Sequence, residues 1–117
     1  MNKLLIIDDD PILLRTMRAL LKDKYTILIT TSPNEALSII EKHSPELILL
    51  DYDMPVLNGL QTLELIRENH NYDNIPVIFL TGTEDISILE KLQQKSIGTL
   101  KKPVKENELS DLISKHL

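Results

Sequence analysis

Asp8 and Asp9, Asp51, Thr81-Gly82 and Lys101-Lys102 occupy equivalent places in the chain, each group directly following a short, mostly apolar run. Those runs are residues 4–7, 47–50, 76–80 and 97–100. If the runs are strands of one sheet, three acids, a hydroxyl beside a glycine and a lysine meet at one edge. Carboxylates packed that closely repel, and a divalent cation relieves the repulsion. Hard oxygen ligands, with no His or Cys among them, select Mg²⁺, with waters completing an octahedron. A bound Mg²⁺ would neutralise one carboxylate enough to let it attack an electrophilic phosphorus. A lysine and a hydroxyl opposite would hold the remaining phosphoryl oxygens. The set therefore reads as a phosphoryl-accepting site with Asp51 as its nucleophile.

Structural readings compete at several of these positions. Asp10 precedes Pro11 and is read as a helix N-cap, which needs no metal. Asp8 and Asp9 could share that duty, but one helix needs one cap, so a metal role is assigned to them. The Asp53 side chain is read either as facing solvent or as acting in dephosphorylation. Lys101 is taken as a solvated strand-end charge. His43, His70 and His116 are scattered and assigned neither as ligands nor as phosphoacceptors.

The elements that must position the site follow from the pattern of apolar residues. Residues 47–50 are four consecutive aliphatics running into Asp51, which suits a strand buried on both faces of a parallel sheet. Pro55 and Asn58-Gly59 then signal a loop. Asp51 thus stands where a buried strand emerges at its carboxyl end, the place where open α/β sheets bind ligands. The predicted strands are residues 4–7, 25–29, 47–51, 76–80 and 97–100. Between them lie helices with apolar stripes Leu13/Met17/Leu20/Leu21, Ala36/Leu37/Ile39/Ile40, Leu60/Leu63/Ile66 and Ile86/Leu89/Leu92, and a last helix carries Leu109/Leu112/Ile113. All five stripes are expected to face the core. Ser32-Pro33-Asn34-Glu35 carries a capping-box signature. Strand and helix alternate five times, implying an α/β doubly wound five-stranded parallel sheet with right-handed crossovers. The strand order expected for such a flavodoxin-like (βα)5 sheet is 2-1-3-4-5, which puts strands one and three side by side at the switch point.

Composition narrows the classes. A chain of 117 residues, 42% hydrophobic and 26% charged, fits one globular domain over residues 1–117. The aromatic residues are Tyr25, Tyr52, Tyr72 and Phe79, so the core must be built from Leu and Ile. A formal charge of −5 argues against direct nucleic-acid binding. The absence of cysteine excludes disulfides, thiol catalysis and thiolate metal sites. No signal-type segment or membrane-length apolar run is visible, so a cytoplasmic location is expected.

Taken together, Leu5-Ile6-Ile7-Asp8-Asp9-Asp10, Leu50-Asp51-Tyr52-Asp53-Met54-Pro55 with Asn58-Gly59, Leu80-Thr81-Gly82 and Lys102-Pro103 resemble the receiver domain of two-component response regulators. The resemblance runs the length of the chain, and four motifs in order, each at a strand end, make it specific. It implies a phosphoacceptor, Asp51, that takes its phosphoryl group from the phosphohistidine of a sensor histidine kinase or phosphotransfer protein. It further implies Mg²⁺ held by Asp9, Asp51 and the backbone carbonyl of Asp53, with Asp8 acting through water. Thr81 and Lys102 would each take a phosphoryl oxygen, and the Lys102–Pro103 bond would be cis. A downstream effector would read the surface formed by helix four, strand five and helix five, which is also the candidate homodimer surface. No turnover of an external substrate is expected.

Two departures stand out. Thr99 occupies the place where the family usually has Tyr or Phe, three residues before the lysine. Gln94-Lys95-Ser96 replaces the small-residue run usual before strand five. Both fall on the output surface, which motivates a second reading, an interaction module with weakened or lost phospho-switching. A third, a haloacid-dehalogenase-type phosphatase, rests only on Asp51-Tyr52-Asp53; such enzymes place that pair after their first core strand and are longer.

Overall fold

Five short strands and the helices between them build the expected sheet. The computed structural model describes all residues, Met1–Leu117. The strands are β1 (Lys3–Ile7), β2 (Thr26–Thr30), β3 (Leu47–Asp51), β4 (Val77–Thr81) and β5 (Gly98–Lys101), all parallel, in the order β2-β1-β3-β4-β5. The helices are α1 (Pro11–Leu21), α2 (Pro33–His43), α3 (Gly59–Arg67), α4 (Ile86–Lys95) and α5 (Glu106–His116), with one 3-10 turn at His70–Tyr72. No helix is long and apolar enough to cross a membrane.

Side-chain alternation along the strands divides the core into two layers. Leu5, Ile7, Ile48, Leu50, Val77 and Phe79 pack with Ala36 and Ile40 of α2, Leu63 and Ile66 of α3 and Leu92 of α4. Leu4, Ile6, Leu47, Leu49, Ile78 and Leu80 pack on the other face with Leu14, Met17 and Leu21 of α1 and Leu109 and Ile113 of α5. Every residue of β3 and β4 is buried, as the unalternating runs require. Burial of each such Leu or Ile contributes roughly 1.5–3 kcal/mol.

The strand bounds shift by a residue where backbone partners decide them. Tyr25, expected to open the second strand, donates its N–H to Leu21 O and closes the turn after α1. Pro76 and Ile97 precede β4 and β5; Thr81 and Lys101 close them. The α1 stripe is also corrected. Leu14, Met17 and Leu21 are buried, while Leu20 is exposed. In α4, Ile86 is 72% exposed and does not face the core, because it opens the helix beyond the sheet edge; Leu92 is buried and Ile88 and Leu89 pack against that layer.

Helix starts follow the side chains available as caps. Asp10 Oδ1 accepts from Ile12 N at 2.9 Å, as expected for an N-cap. Ser32 Oγ accepts from Glu35 N at 3.3 Å at the start of α2. The full reciprocal box is found instead at α3, where Asn58 and Gln61 exchange bonds of 2.9 Å, so Asn58-Gly59 ends the loop and begins the helix. Gly59 is there for space. A Cβ would lie 2.7 Å from Asp51 O and 2.8 Å from Tyr52 Cα, so α3 can start this close to the end of β3 only with glycine.

Candidate functional site

Strand parity explains which side chains meet. Leu4, Ile6 and Asp8 share one face of the sheet, as do Leu47, Leu49 and Asp51, and Leu100 and Lys102. All three series project toward the layer of α1 and α5, and each changes from aliphatic to charged at the carboxyl edge. Register completes the approach. Ile7 pairs with Leu50, so Asp8 and Asp51 come side by side one residue further on. Thr81 belongs to the opposite parity, with Val77 and Phe79.

Asp8 and Asp51 have no exposed surface, Asp9 is exposed, and one carboxylate oxygen from each lies within 4.8 Å of the others. Lys102 reaches in from the loop after β5, its Nζ 2.8 Å from Asp51 Oδ1 and 3.5 Å from Asp8 Oδ2. The Lys102–Pro103 peptide is cis, as expected. Asp53 N donates to Asp51 Oδ1 at 3.1 Å, and Asp10 N to Asp8 Oδ1 at 2.9 Å. Asp8 Oδ2 and Asp51 Oδ2 are buried and accept no hydrogen bond. Buried carboxylates this close together, with Asp8 Oδ2 unpartnered, are costly unless an ion satisfies them, so the set fits a hard divalent cation. Asp8, Asp9 and Asp51 would hold it.

Electrostatics agree with that reading. Burial pushes the Asp8 carboxyl up to about 6, reinforced by Asp51 and Asp9 and opposed by the Asp10 amide and Lys102. Burial alone would lower the Lys102 ammonium, but its hydrogen bond to Asp51 and the charges of Asp8, Asp51 and Asp53 outweigh burial and hold it above its ordinary value. Lys102 therefore stays charged. Lys101 instead pairs with Glu84 at 2.5 Å on the surface, consistent with its reading as a strand-end charge.

Thr81 is buried at the end of β4, with its hydroxyl engaged within the protein. Its Oγ1 donates to Asp53 Oδ2 at 3.0 Å and accepts from Thr83 N at 3.0 Å, and Gly82 N donates to the same Asp53 oxygen at 2.9 Å. Of the two readings of the Asp53 side chain, the solvent-facing one is thus incomplete: the residue is exposed, yet its carboxylate bridges to β4. Only the two-residue spacing from Asp51 hinted that it would share the edge.

Thr99, on β5, leaves room at the position where the resembled family usually carries a ring. It lines a cavity of about 340 Å³ with Thr81, Thr83, Leu89, Gln93 and Lys101 among its walls, and its own hydroxyl is buried without a partner.

Residues 4–114 match the family model described as the response regulator receiver domain. RcaC of Microchaete diplosiphon is 32% identical over 120 residues, 99% of this chain and 18% of that protein. PilG of Pseudomonas aeruginosa is 33% identical over 119 residues, 98% of this chain and 87% of that one. The structure of chemotaxis protein CheY4 from Vibrio cholerae superposes with a TM-score of 0.91 at 24% identity, covering 100% of this chain and 99% of that one, a likeness of fold. The chain spans less than half the length of several curated relatives it matches.

Proposed function

The chain belongs to the response regulator receiver family, and from that membership we propose that it is a phosphoacceptor whose Asp51 takes a phosphoryl group from a phosphohistidine. One observation carries the reading. Asp51 Oδ1 is fixed by Lys102 Nζ and Asp53 N, while Oδ2 is left without a partner. One oxygen is thereby oriented and the other kept for bond formation. In the transfer, a bond forms from Asp51 Oδ2 to phosphorus as the phosphorus–nitrogen bond breaks, its electron pair leaving with the donor imidazole. Asp8, Asp9 and Asp51, with the Asp53 carbonyl as a further ligand, would hold Mg²⁺, which would supply charge neutralisation between the carboxylates and the incoming phosphoryl oxygens. Lys102 follows the charge from Asp51 to a phosphoryl oxygen, and Thr81 donates to another. Because Asp51 has no exposed surface, uptake requires the side chains above it to part.

The partners this implies are a sensor histidine kinase or phosphotransfer protein upstream and an effector downstream. Radiolabel from a small acyl phosphate should enter the wild-type chain in the presence of Mg²⁺ and should not enter Asp51→Asn. Uptake by that variant at the wild-type rate would remove the assignment. The chain should turn over no small phosphate ester, whereas a phosphatase would.

The cavity beside Thr99 favours a second reading of the output, in which the domain binds its partner with little dependence on phosphate. Equal partner affinity with and without beryllofluoride, a phosphoryl mimic, would support it.

A further inference from the structure

Asp53 Oδ2 collects two donors from the end of β4, the Thr81 hydroxyl at 3.0 Å and the Gly82 amide at 2.9 Å. The contact joins residues 28 and 29 positions apart, so it ties the loop after β3 to the loop after β4 rather than closing a local turn. Thr83 N donates to Thr81 Oγ1 at 3.0 Å, which commits the hydroxyl proton to Asp53. A carboxylate oxygen and a phosphoryl oxygen are both anionic acceptors that seek such donors. Asp53 follows Asp51 by two residues, and its own amide is bonded to Asp51 Oδ1, so the competing acceptor is fastened to the nucleophile it competes with.

We propose that the Asp53 carboxylate is an internal competitor of the phosphoryl group, a positioning residue that holds Thr81 and Gly82 in the unphosphorylated arrangement until a phosphoryl oxygen displaces it. This rests on Asp51 being the phosphoacceptor. The exchange makes and breaks only hydrogen bonds: the Thr81 and Gly82 donors pass from Asp53 Oδ2 to phosphoryl oxygen, and the released carboxylate turns to water. Asp53 thereby sets how readily the domain accepts its signal, lowering the affinity for phosphoryl and its mimics.

The test is beryllofluoride binding at saturating Mg²⁺, so that the lost charge of Asp53 does not act through the metal. Asp53→Ala should bind about ten-fold more tightly than wild type, the scale of one hydrogen bond to a charged group. Asp53→Asn, which keeps an acceptor, should gain less. In a Thr81→Val background the gain from Asp53→Ala should shrink to about three-fold or below, because one of the two donors that Asp53 holds is already gone. In metal-free protein the Gly82 amide resonance should move on Asp53→Ala, and in wild type on adding Mg²⁺ with beryllofluoride. Equal or weaker binding by Asp53→Ala, an undiminished gain in the Thr81→Val background, or an unmoved Gly82 amide in metal-free Asp53→Ala overturns the proposal. A wild-type chain that binds no beryllofluoride at all overturns the phosphoacceptor reading beneath it, and the Gly82 resonance separates the two failures.

Discussion

Lys102 Nζ sits 2.8 Å from Asp51 Oδ1, a contact between residues 51 positions apart that closes the site from the β5 side. The carboxylate is wholly buried and the ammonium partly so. The same ammonium is the one positive charge facing Asp8, 3.5 Å away. In metal-free protein it is therefore the counter-charge that the two adjacent carboxylates share.

Removing that charge should destabilise the metal-free chain. Lys102→Ala leaves Asp8 and Asp51 facing each other without a counter-ion, and breaking a buried pair costs about 3 kcal/mol. Urea unfolding in the presence of a chelator should show the loss, and saturating Mg²⁺ should recover much of it. A midpoint unchanged in the chelator would mean that Lys102 does not offset the carboxylates.

Asp8 gives the stability a pH dependence of defined sign. Its carboxyl lies at about 6 in the folded chain against an ordinary 3.8, so the folded state binds its proton more tightly. Between those values the folded chain keeps a proton that the unfolded chain has released. Metal-free stability should therefore fall as pH rises from about 4 to about 6 and then level off, by about 2–3 kcal/mol. Asp8→Asn should flatten that segment and be the more stable chain at pH 8. Mg²⁺ must displace the same proton, so wild-type affinity for the ion should drop below about pH 6. Chelator-treated samples unfolded across this range check the sign: stability rising from pH 4 to 6 would contradict it.

Most of the fold could be read from the chain because each of the four chemical positions follows a mostly apolar run at the same edge. Asp51 follows four aliphatics, and no other element accommodates such a run ending in a buried acid. The residue-level placement was less accessible. Tyr25 reads as strand by composition, but its amide is claimed by Leu21 O. Leu20 and Leu14 are equally apolar in α1, and only the direction in which the helix crosses the sheet decides which is buried. The Asp53 carboxylate is bonded to residues nearly thirty positions away, a pairing that depends on how two loops lean and leaves no periodic trace.

Asp9 and Asp10 are adjacent acids with separate duties, and Mg²⁺ titration should tell them apart. Asp10 spends its carboxylate on Ile12 N as the α1 cap, whereas Asp9 lies with Asp8 and Asp51 in the oxygen cluster. Asp9→Ala should weaken Mg²⁺ binding at least about ten-fold, since a charged oxygen ligand is removed. Asp10→Ala should instead lower stability by about 1 kcal/mol, the usual value of a cap. Equal affinities in the two variants would overturn this division.

Thr99→Tyr tests whether the departure at the output face weakens coupling. The threonine hydroxyl is buried without a partner, and the cavity of about 340 Å³ beside it is lined by Thr81 and by Leu89 of α4. A ring entering that space would replace an unsatisfied hydroxyl with apolar contact and overpack little, so the unfolding midpoint should change by less than about 1.5 kcal/mol. It would also lie against the residue expected to move toward a phosphoryl oxygen, giving α4 a side chain that senses the movement. The amide shifts that beryllofluoride induces in α4 should then be larger in Thr99→Tyr than in wild type, at equal occupancy of Asp51. Shifts of the same size in both chains would mean that Thr81 communicates with α4 without a ring at this position, and the coupling would have to run through the backbone of residues 82–85.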